Sequence, residues 1–296
     1  MTGQRHRDHA ADHHVAFESP AMAAFVELEA EVLASLATQA VDVVEELSTR
    51  QGVEVRRVLD LGCGPGVGTC CLAGRFGSAT VVAADGSATM LRHAAARAGR
   101  LGFGERVETA LVEMPSGLGA LGRADLAWSS MALHHVGDEA AALGRIRELL
   151  EPGGLLAVVE GAGPLRVLPG DADLGRPGMW ERIDAAWAAW FTDMRADLPG
   201  ATTSADYPVM LEGAGLEVVA DELLTLVLDP PLDVPARRFA SEYLRRTQEQ
   251  LAPYAGAADL DALGGLIGKS DHDGGLRRDD VRLHAARRLY VGRAMS

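Results

Sequence analysis

The chain has 296 residues, 48% of them hydrophobic, and a formal net charge of −14. That charge would repel a phosphate backbone and argues against nucleic acid as a partner. No apolar run approaches the roughly 20 residues that a membrane-spanning helix requires, and the N-terminus has no apolar signal core. We therefore expect a soluble, cytoplasmic protein whose partners are small molecules, with no membrane association.

The first fifty residues divide into a His-rich tail and a helical stretch. The tail could bind a metal through Asp8, His9, Asp12, His13 and His14, but its composition favours a disordered polar terminus, so we predict no metal site. Ser19 can cap a helix and Pro20 suits its first position. Apolar residues then recur at helical spacing, at Phe25, Leu28, Val32, Leu36, Val43 and Leu47. An amphipathic helix in two pieces is predicted.

Short apolar runs then alternate with helical runs. The predicted strands are "RRVLDLG", "ATVVAAD", "RVETALV", "ADLAWSS" and "GLLAVVE", with helices predicted over 67–76, 88–98 and 139–150. This alternation predicts a doubly wound, mostly parallel sheet with helices on both faces. Ligands of such sheets bind at the carboxyl ends of the strands.

The last third of the chain is less regular. "GMWERIDAAWAAWFTDMRADL" predicts an amphipathic helix, "DYPVMLEGAGLEVV" a helix, a glycine stop and a strand, and 233–268 further helices. "HAARRLYVGRA" predicts a last strand, antiparallel to "LEVVADELLTLVL". We divide the chain into an N-terminal tail with lid helices (1–50), a ligand-binding core (51–160) and a part that completes the sheet and adds lid insertions at about 161–215 and 230–282 (161–296).

The glycines of "VLDLGCGPGVG" exclude two kinds of phosphate site. A dinucleotide fingerprint needs a third glycine where Val67 stands, and a phosphate-binding loop needs a lysine directly before Thr69, where this chain has Gly68. What remains is an acidic residue followed by G-x-G-x-G, with Asp60 at the strand end. Its carboxylate suits an ammonium group, and the bare turn lets a ligand lie on the backbone.

With these motifs the sequence resembles the class I S-adenosylmethionine-dependent methyltransferases. "VLDLGCGPG" matches their first motif, "VVAADGSATML" the second strand with its acid, and "ADLAWSSMALHHV" and "LLEPGGLLAVVE" the fourth and fifth strands. The resemblance covers about residues 55–160. It implies S-adenosyl-L-methionine as cofactor and a Rossmann-like, doubly wound sheet of seven strands, mostly parallel with an antiparallel last strand, plus a helical lid.

The resemblance also implies the residues that hold the cofactor. The glycine turn would take the methionine part, Asp85 both ribose hydroxyls and Met90 the adenine, while Glu113 or the Met114 amide would stand in for the family's adenine-binding Asp. The predicted cofactor-binding residues are Asp60, Gly62, Cys63, Gly64, Gly66, Asp85, Gly86, Met90, Glu113, Met114 and Ser129.

On the acceptor side the alternatives stay open. His134 or His135 would serve as general base or only shape the loop. Trp187 and Trp190 would line the acceptor pocket or pack in the core or in a homodimer. Glu160 would face the acceptor or would only be a strand-end residue. Asp138 is an acceptor-facing acid or a helix start. We expect methyl transfer to an O, N or C atom of a small molecule. Natural-product biosynthesis is one setting for such a reaction. The alternatives are a non-methylating S-adenosylmethionine enzyme and a non-catalytic cofactor-binding partner protein.

Overall fold

The computed structural model describes residues 19–168, 174–201, 206–268 and 275–295. Its helices are α1 (Pro20–Val32), α2 (Ala34–Gln51), α3 (Val67–Arg75), α4 (Ala88–Arg100), α5 (Glu139–Glu148), α6 (Met179–Ala196), α7 (Tyr207–Gly213), α8 (Val234–Leu251) and α9 (Ala257–Gly264). Its strands are β1 (Arg57–Leu61), β2 (Thr80–Asp85), β3 (Val107–Leu111), β4 (Ala124–Ser130), β5 (Leu150–Gly161), β6 (Arg166–Leu168), β7 (Leu216–Leu228) and β8 (Arg282–Ala294).

The described residues form two compact units. Unit 1 comprises those of Met1–Gly161, Arg195–Leu224 and Arg287–Ser296, and unit 2 those of Ala162–Met194 and Thr225–Ala286. The chain passes from one unit to the other directly after β5 and again within α6, β7 and β8.

The predicted doubly wound sheet is confirmed. Its order in unit 1 is β3-β2-β1-β4-β5-β8, in which the first five strands run parallel and β8 runs antiparallel to β5. The predicted pairing of β7 with β8 is present. The additional strand is β6 in unit 2, which pairs antiparallel with the first residues of β8 and brings the sheet to eight strands. The sequence did not predict β6, because a run of three residues is too short to show an alternating pattern.

The N-terminal helix in two pieces is also confirmed. Ser19 caps α1, since its hydroxyl accepts a hydrogen bond from the Met22 amide over 3.1 Å, and Pro20 occupies the first turn. Helix α5 ends two residues before its predicted end because β5 already starts at Leu150, and Pro152 could not continue a helix.

The core of unit 1 lies on both faces of the central strands. Leu59, Leu61 and Trp128 are fully buried, as expected where helices cover both faces of a parallel sheet. The register pairs Leu61 with Ala84 and Ser130 with Val159. The carboxyl ends of β1, β2, β4 and β5 therefore meet at one edge, and this edge carries the predicted site residues.

Candidate functional site

The turn after β1 contains three glycines in the left-handed region, with φ of 74° at Gly62, 51° at Gly64 and 81° at Gly66. A Cβ added to Gly62 would lie 2.4 Å from the Ala132 Cβ, and one added to Gly66 would lie 2.6 Å from the Ala94 Cα. A Cβ on Gly64 would meet no atom within 4 Å. Gly62 and Gly66 thus allow close packing, whereas Gly64 leaves an open face on which a ligand can lie.

Asp85 ends β2 beside this turn. Its carboxylate accepts hydrogen bonds from the Gly64 amide over 2.9 Å and from the Ser87 amide over 2.8 Å. A carboxylate can accept about four hydrogen bonds, so this group can support the turn and also accept from a ligand's hydroxyls. The open face at Gly64 and the carboxylate beside it fit a nucleoside with a ribose at this edge.

Asp60 lies beneath the turn rather than on its surface. Its side chain is buried and accepts a hydrogen bond of 2.6 Å from the Thr69 hydroxyl. Burial raises the pKa of Asp60 to about 7; the bond from Thr69 opposes the shift and the charge of Asp85 adds to it. Trp128 pairs with Asp60 across the sheet, and among the described residues its buried Nε1 has no hydrogen-bond partner.

The other predicted cofactor residues occupy both sides of the turn. Cys63 is buried and its thiol donates to the Gly64 carbonyl over 3.5 Å, while burial raises the thiol pKa well above its usual value. Ser129 is fully buried and donates to the Leu61 carbonyl over 3.1 Å, so its hydroxyl ties β4 to β1. Met90 is buried in the first turn of α4 and Gly86 lies half-buried before it.

Glu113 and Met114 follow β3. Glu113 is exposed, and its carbonyl accepts a hydrogen bond from the Gly117 amide over 2.8 Å. The Met114 methyl group would lie 3.5 Å from a Cβ on Gly62, which places this side chain against the glycine turn. Their roles toward adenine stay predictions.

The acceptor-side residues meet at the ends of β4 and β5. The buried carboxylate of Glu160 accepts a hydrogen bond from the Leu133 amide over 3.0 Å and lies 2.7 Å from the His134 Nδ1. An ionised carboxylate only accepts, so Nδ1 carries the hydrogen and Nε2 becomes the basic nitrogen of the ring. The His135 ring lies 4.1 Å from the His134 ring. His134 and Glu160 thus form a dyad with the geometry of an oriented general base.

Arg195 holds the loop that carries this dyad. Its guanidinium donates to the carbonyls of His134, over 2.5 Å, and Gly137, over 3.2 Å, and pairs with Glu139 over 3.1 Å. The Tyr207 hydroxyl donates to the other Glu139 oxygen over 2.8 Å. Desolvation raises the pKa of both Glu139 and Tyr207. Sequence reasoning missed these three side chains, since they lie at least 12 positions apart along the chain and share no motif.

Two further predictions concern Asp138 and the tryptophans. Asp138 caps α5, its carboxylate accepting from the Ala141 amide over 2.8 Å, which is the helix-start alternative. Trp187 and Trp190 lie in unit 2, where their rings meet edge to face at 5.2 Å and Trp187 stacks on Tyr243 at 6.4 Å. That they line an acceptor pocket stays a prediction.

The described residues contain no group of three or more His, Cys, Asp or Glu placed to hold a metal ion, and the His-rich tail lies outside these residues. None of the described helices is long and apolar enough to cross a membrane.

Comparison with known proteins finds similarity to methyltransferases in the core. A family model described as "Methyltransferase domain" matches residues 58–154. The chain is 41% identical over 115 residues to the trans-aconitate 2-methyltransferase of Methylobacterium radiotolerans, covering 38% of this chain and 41% of that protein. It is 28% identical to the enzyme of that name from Delftia acidovorans, over 80% of this chain and 87% of the relative.

Solved structures show the same fold. The chain superposes on a protein of Bacillus halodurans with a TM-score of 0.50 at 17% identity, over 82% of this chain and 94% of that one. It superposes on mitomycin 7-O-methyltransferase with a TM-score of 0.50 at 15% identity, over 95% of this chain and 60% of that one. Against three of the trans-aconitate enzymes, the match spans about two-fifths of the relative's length. Residues 58–154 of this chain therefore match a methyltransferase domain, which supports the resemblance of its motifs to the class I S-adenosylmethionine-dependent methyltransferases.

Proposed function

We propose that this protein transfers a methyl group from S-adenosyl-L-methionine to a small molecule. The observation that carries the proposal is the open face of Gly64 with the Asp85 carboxylate 2.9 Å from its amide nitrogen, at the edge where the strands of such sheets bind ligands. The glycine turn would hold the methionine part and Asp85 the ribose. Bound there, the cofactor supplies an activated methyl group on a positively charged sulfur.

The residues around the turn then have little covalent chemistry to do. Their contribution is to align the acceptor atom with the methyl group and to exclude water. A carboxylate, or an amine in its uncharged form, already presents a lone pair, whereas a hydroxyl gains from losing its proton. A general base is therefore informative about the acceptor.

The dyad of His134 and Glu160 favours a hydroxyl acceptor. Glu160 fixes the ring so that Nε2 can take a proton, and the buried carboxylate stabilises the imidazolium that results. The relatives named trans-aconitate 2-methyltransferase indicate a second candidate, a carboxylate acceptor, which would not need this base. We infer O-methylation of a hydroxyl, with carboxylate methylation as the alternative outcome of the test.

The remaining parts of the proposal concern the setting of the enzyme. We place it in the cytoplasm with no nucleic-acid partner, and we leave a homodimer as an option that sedimentation would test. We also propose that the chain divides at residues 50 and 160 and that the lid segments decide which acceptor is methylated.

Calorimetry with S-adenosylmethionine and S-adenosylhomocysteine tests the cofactor site. Asp85→Asn should weaken binding by about 1.5–3 kcal/mol, roughly 10- to 150-fold, because it loses charge-assisted hydrogen bonds. The matched control is Asp221→Asn, which removes a carboxylate in unit 1 that pairs with Arg288 near the surface and should leave affinity unchanged. Equal affinity of the Asp85 variant and wild type would contradict the assignment.

Mass spectrometry of products then identifies the reaction. With phenolic and carboxylic acceptors offered separately, a gain of one methyl group with an equal amount of S-adenosylhomocysteine supports transfer. Bound cofactor and a changed product without a methyl group would support the non-methylating alternative. On a hydroxyl acceptor, Glu160→Gln should lower kcat about 10- to 100-fold and change the pH profile, with unchanged cofactor affinity. The same variant at wild-type activity would return His134 to shaping the loop.

A further inference from the structure

Unit 2 contains a small cavity that the proposed chemistry does not use. It lies between β6, α6, α8 and α9, and its walls are apolar or aromatic with two exceptions. The lining residues are Leu165, Arg166, Val167, Trp180, Ile183, Trp187, Tyr243, Leu244, Thr247 and Leu263. The exceptions are Arg166 and Thr247. Each has a buried polar atom that lacks a hydrogen-bond partner among the described residues.

Thr247 is the first unsatisfied group. It lies in α8, its side chain is almost completely buried, and its Oγ1 has no hydrogen-bond partner among the described residues. A threonine inside a helix usually donates to the carbonyl four residues earlier. Thr247 lacks that bond and lines the cavity instead, so its hydroxyl is available to a molecule inside it.

Arg166 provides the second unsatisfied group. Its Nη2 lies 2.5 Å from both carboxylate oxygens of Asp184, and its guanidinium carbon lies 5.0 Å from the centre of the Trp180 ring. Its buried Nη1 has no partner within the described part of the chain. Asp184 already compensates the guanidinium charge, so Nη1 offers a directional N–H donor without excess positive charge. An anion in this apolar cavity would carry an uncompensated charge, which is costly.

We propose that this cavity is a binding site for an uncharged ring that bears a hydroxyl group, such as a phenol. A hydroxyl accepts one hydrogen bond and donates another, which matches the donor at Arg166 and the oxygen of Thr247. Trp187 and Tyr243, stacked at 6.4 Å, supply aromatic surface for the ring. The inference deepens the proposed function. It rests on that proposal in one respect, because it takes the ring to belong to the same chemical class as the methyl acceptor.

The cavity is narrow, with space for about one water molecule in this conformation. A ring therefore enters by displacing a half-buried wall residue, and Trp180 is such a residue. Binding should consequently change the tryptophan fluorescence of the full chain. The rival occupant is a single water molecule that bridges the two unsatisfied groups.

The test titrates the full-length protein with phenol, toluene and benzoate, followed by fluorescence and calorimetry. Phenol should bind saturably and at least tenfold more tightly than toluene, which lacks the hydroxyl, and than benzoate, which carries a charge. Thr247→Val keeps the side-chain shape and should weaken phenol binding about tenfold while leaving toluene unaffected. The matched control is Thr192→Val, at an exposed position of α6 whose hydroxyl bonds to the Ala188 carbonyl, and it should change neither.

Two outcomes would overturn the inference. Phenol and toluene could bind equally, or phenol could show no saturable binding up to its solubility limit, as expected if a water molecule is the occupant. In that second case Thr247→Val should lower the melting temperature of the free protein, because the bridging water molecule loses one of its hydrogen bonds. Cofactor affinity measured on the same preparations separates this result from the proposed function, because that site lies in unit 1.

Discussion

Asp60 shows how a single carboxyl group can have its chemistry set by burial. It is the penultimate residue of β1, which carries the first motif, yet the residue is 2% exposed and accepts a hydrogen bond of 2.6 Å from the Thr69 hydroxyl. Loss of hydration outweighs that hydrogen bond, and its pKa rises to about 7. Near neutral pH the group is therefore poised between its charged and uncharged forms beneath the candidate cofactor turn.

This pKa predicts a falling stability as pH rises. In the unfolded chain an Asp ionises near 3.8, whereas folded Asp60 keeps its proton up to about 7, so between these values the folded state binds the extra proton. Raising the pH through that window therefore lowers the free energy of unfolding, by about 2 kcal/mol between pH 5.5 and 8. Urea unfolding at a series of pH values measures this loss of stability. Asp60→Asn should abolish the part of the loss that comes from Asp60.

Thr69→Val supplies the companion measurement. It removes the hydrogen bond that lowers the Asp60 pKa, so the pH at which the loss of folding stability levels off should move upward. If wild type and Asp60→Asn showed the same pH dependence, the carboxyl would be ionised throughout and the burial argument would fail.

At the scale of elements, the glycine turn joins β1 to α3 and packs against two neighbours. Gly62 approaches Ala132 in the loop after β4, and Gly66 approaches Ala94 of α4. Gly64, between them, faces open space. The turn thus combines two positions required by packing with one left for a ligand.

These differences predict separate effects of alanine. Gly66→Ala should destabilise the fold by roughly 2–5 kcal/mol, since the new methyl group would overlap the α4 backbone and φ is 81°. Gly64→Ala should cost only about 1 kcal/mol for its left-handed φ, but lower S-adenosylmethionine affinity at least tenfold. Gly122→Ala, at φ 73° with open space, is the matched control and should keep full affinity. Urea unfolding and calorimetry give the two readouts.

At the scale of the whole molecule, the charge is unbalanced. The chain has 42 acidic residues against 28 basic ones, so mutual repulsion remains after the ion pairs are counted. Salt screens this repulsion, with a screening length of about 10 Å at 0.1 M. It also weakens exposed ion pairs, but each of these contributes little.

We therefore expect a higher melting temperature at higher salt. Raising sodium chloride from about 0.05 to about 0.5 M should stabilise the protein by about 1 kcal/mol, or a few degrees. Scanning calorimetry checks this, with an equal osmotic strength of sucrose as control. A lower melting temperature in salt would mean that the ion pairs outweigh the net repulsion.

The sequence by itself determined the parallel sheet, the two N-terminal helices and the position of the glycine turn, because hydrophobic alternation and glycine spacing are local properties of the chain. It also indicated Asp85 and Glu160 as strand-end acids. Only the tertiary structure decided what each group touches. The dyad of Glu160 with His134, the clamp by Arg195 and the unsatisfied pair of Arg166 and Thr247 join residues 26 to 81 positions apart, and packing alone brings such residues together.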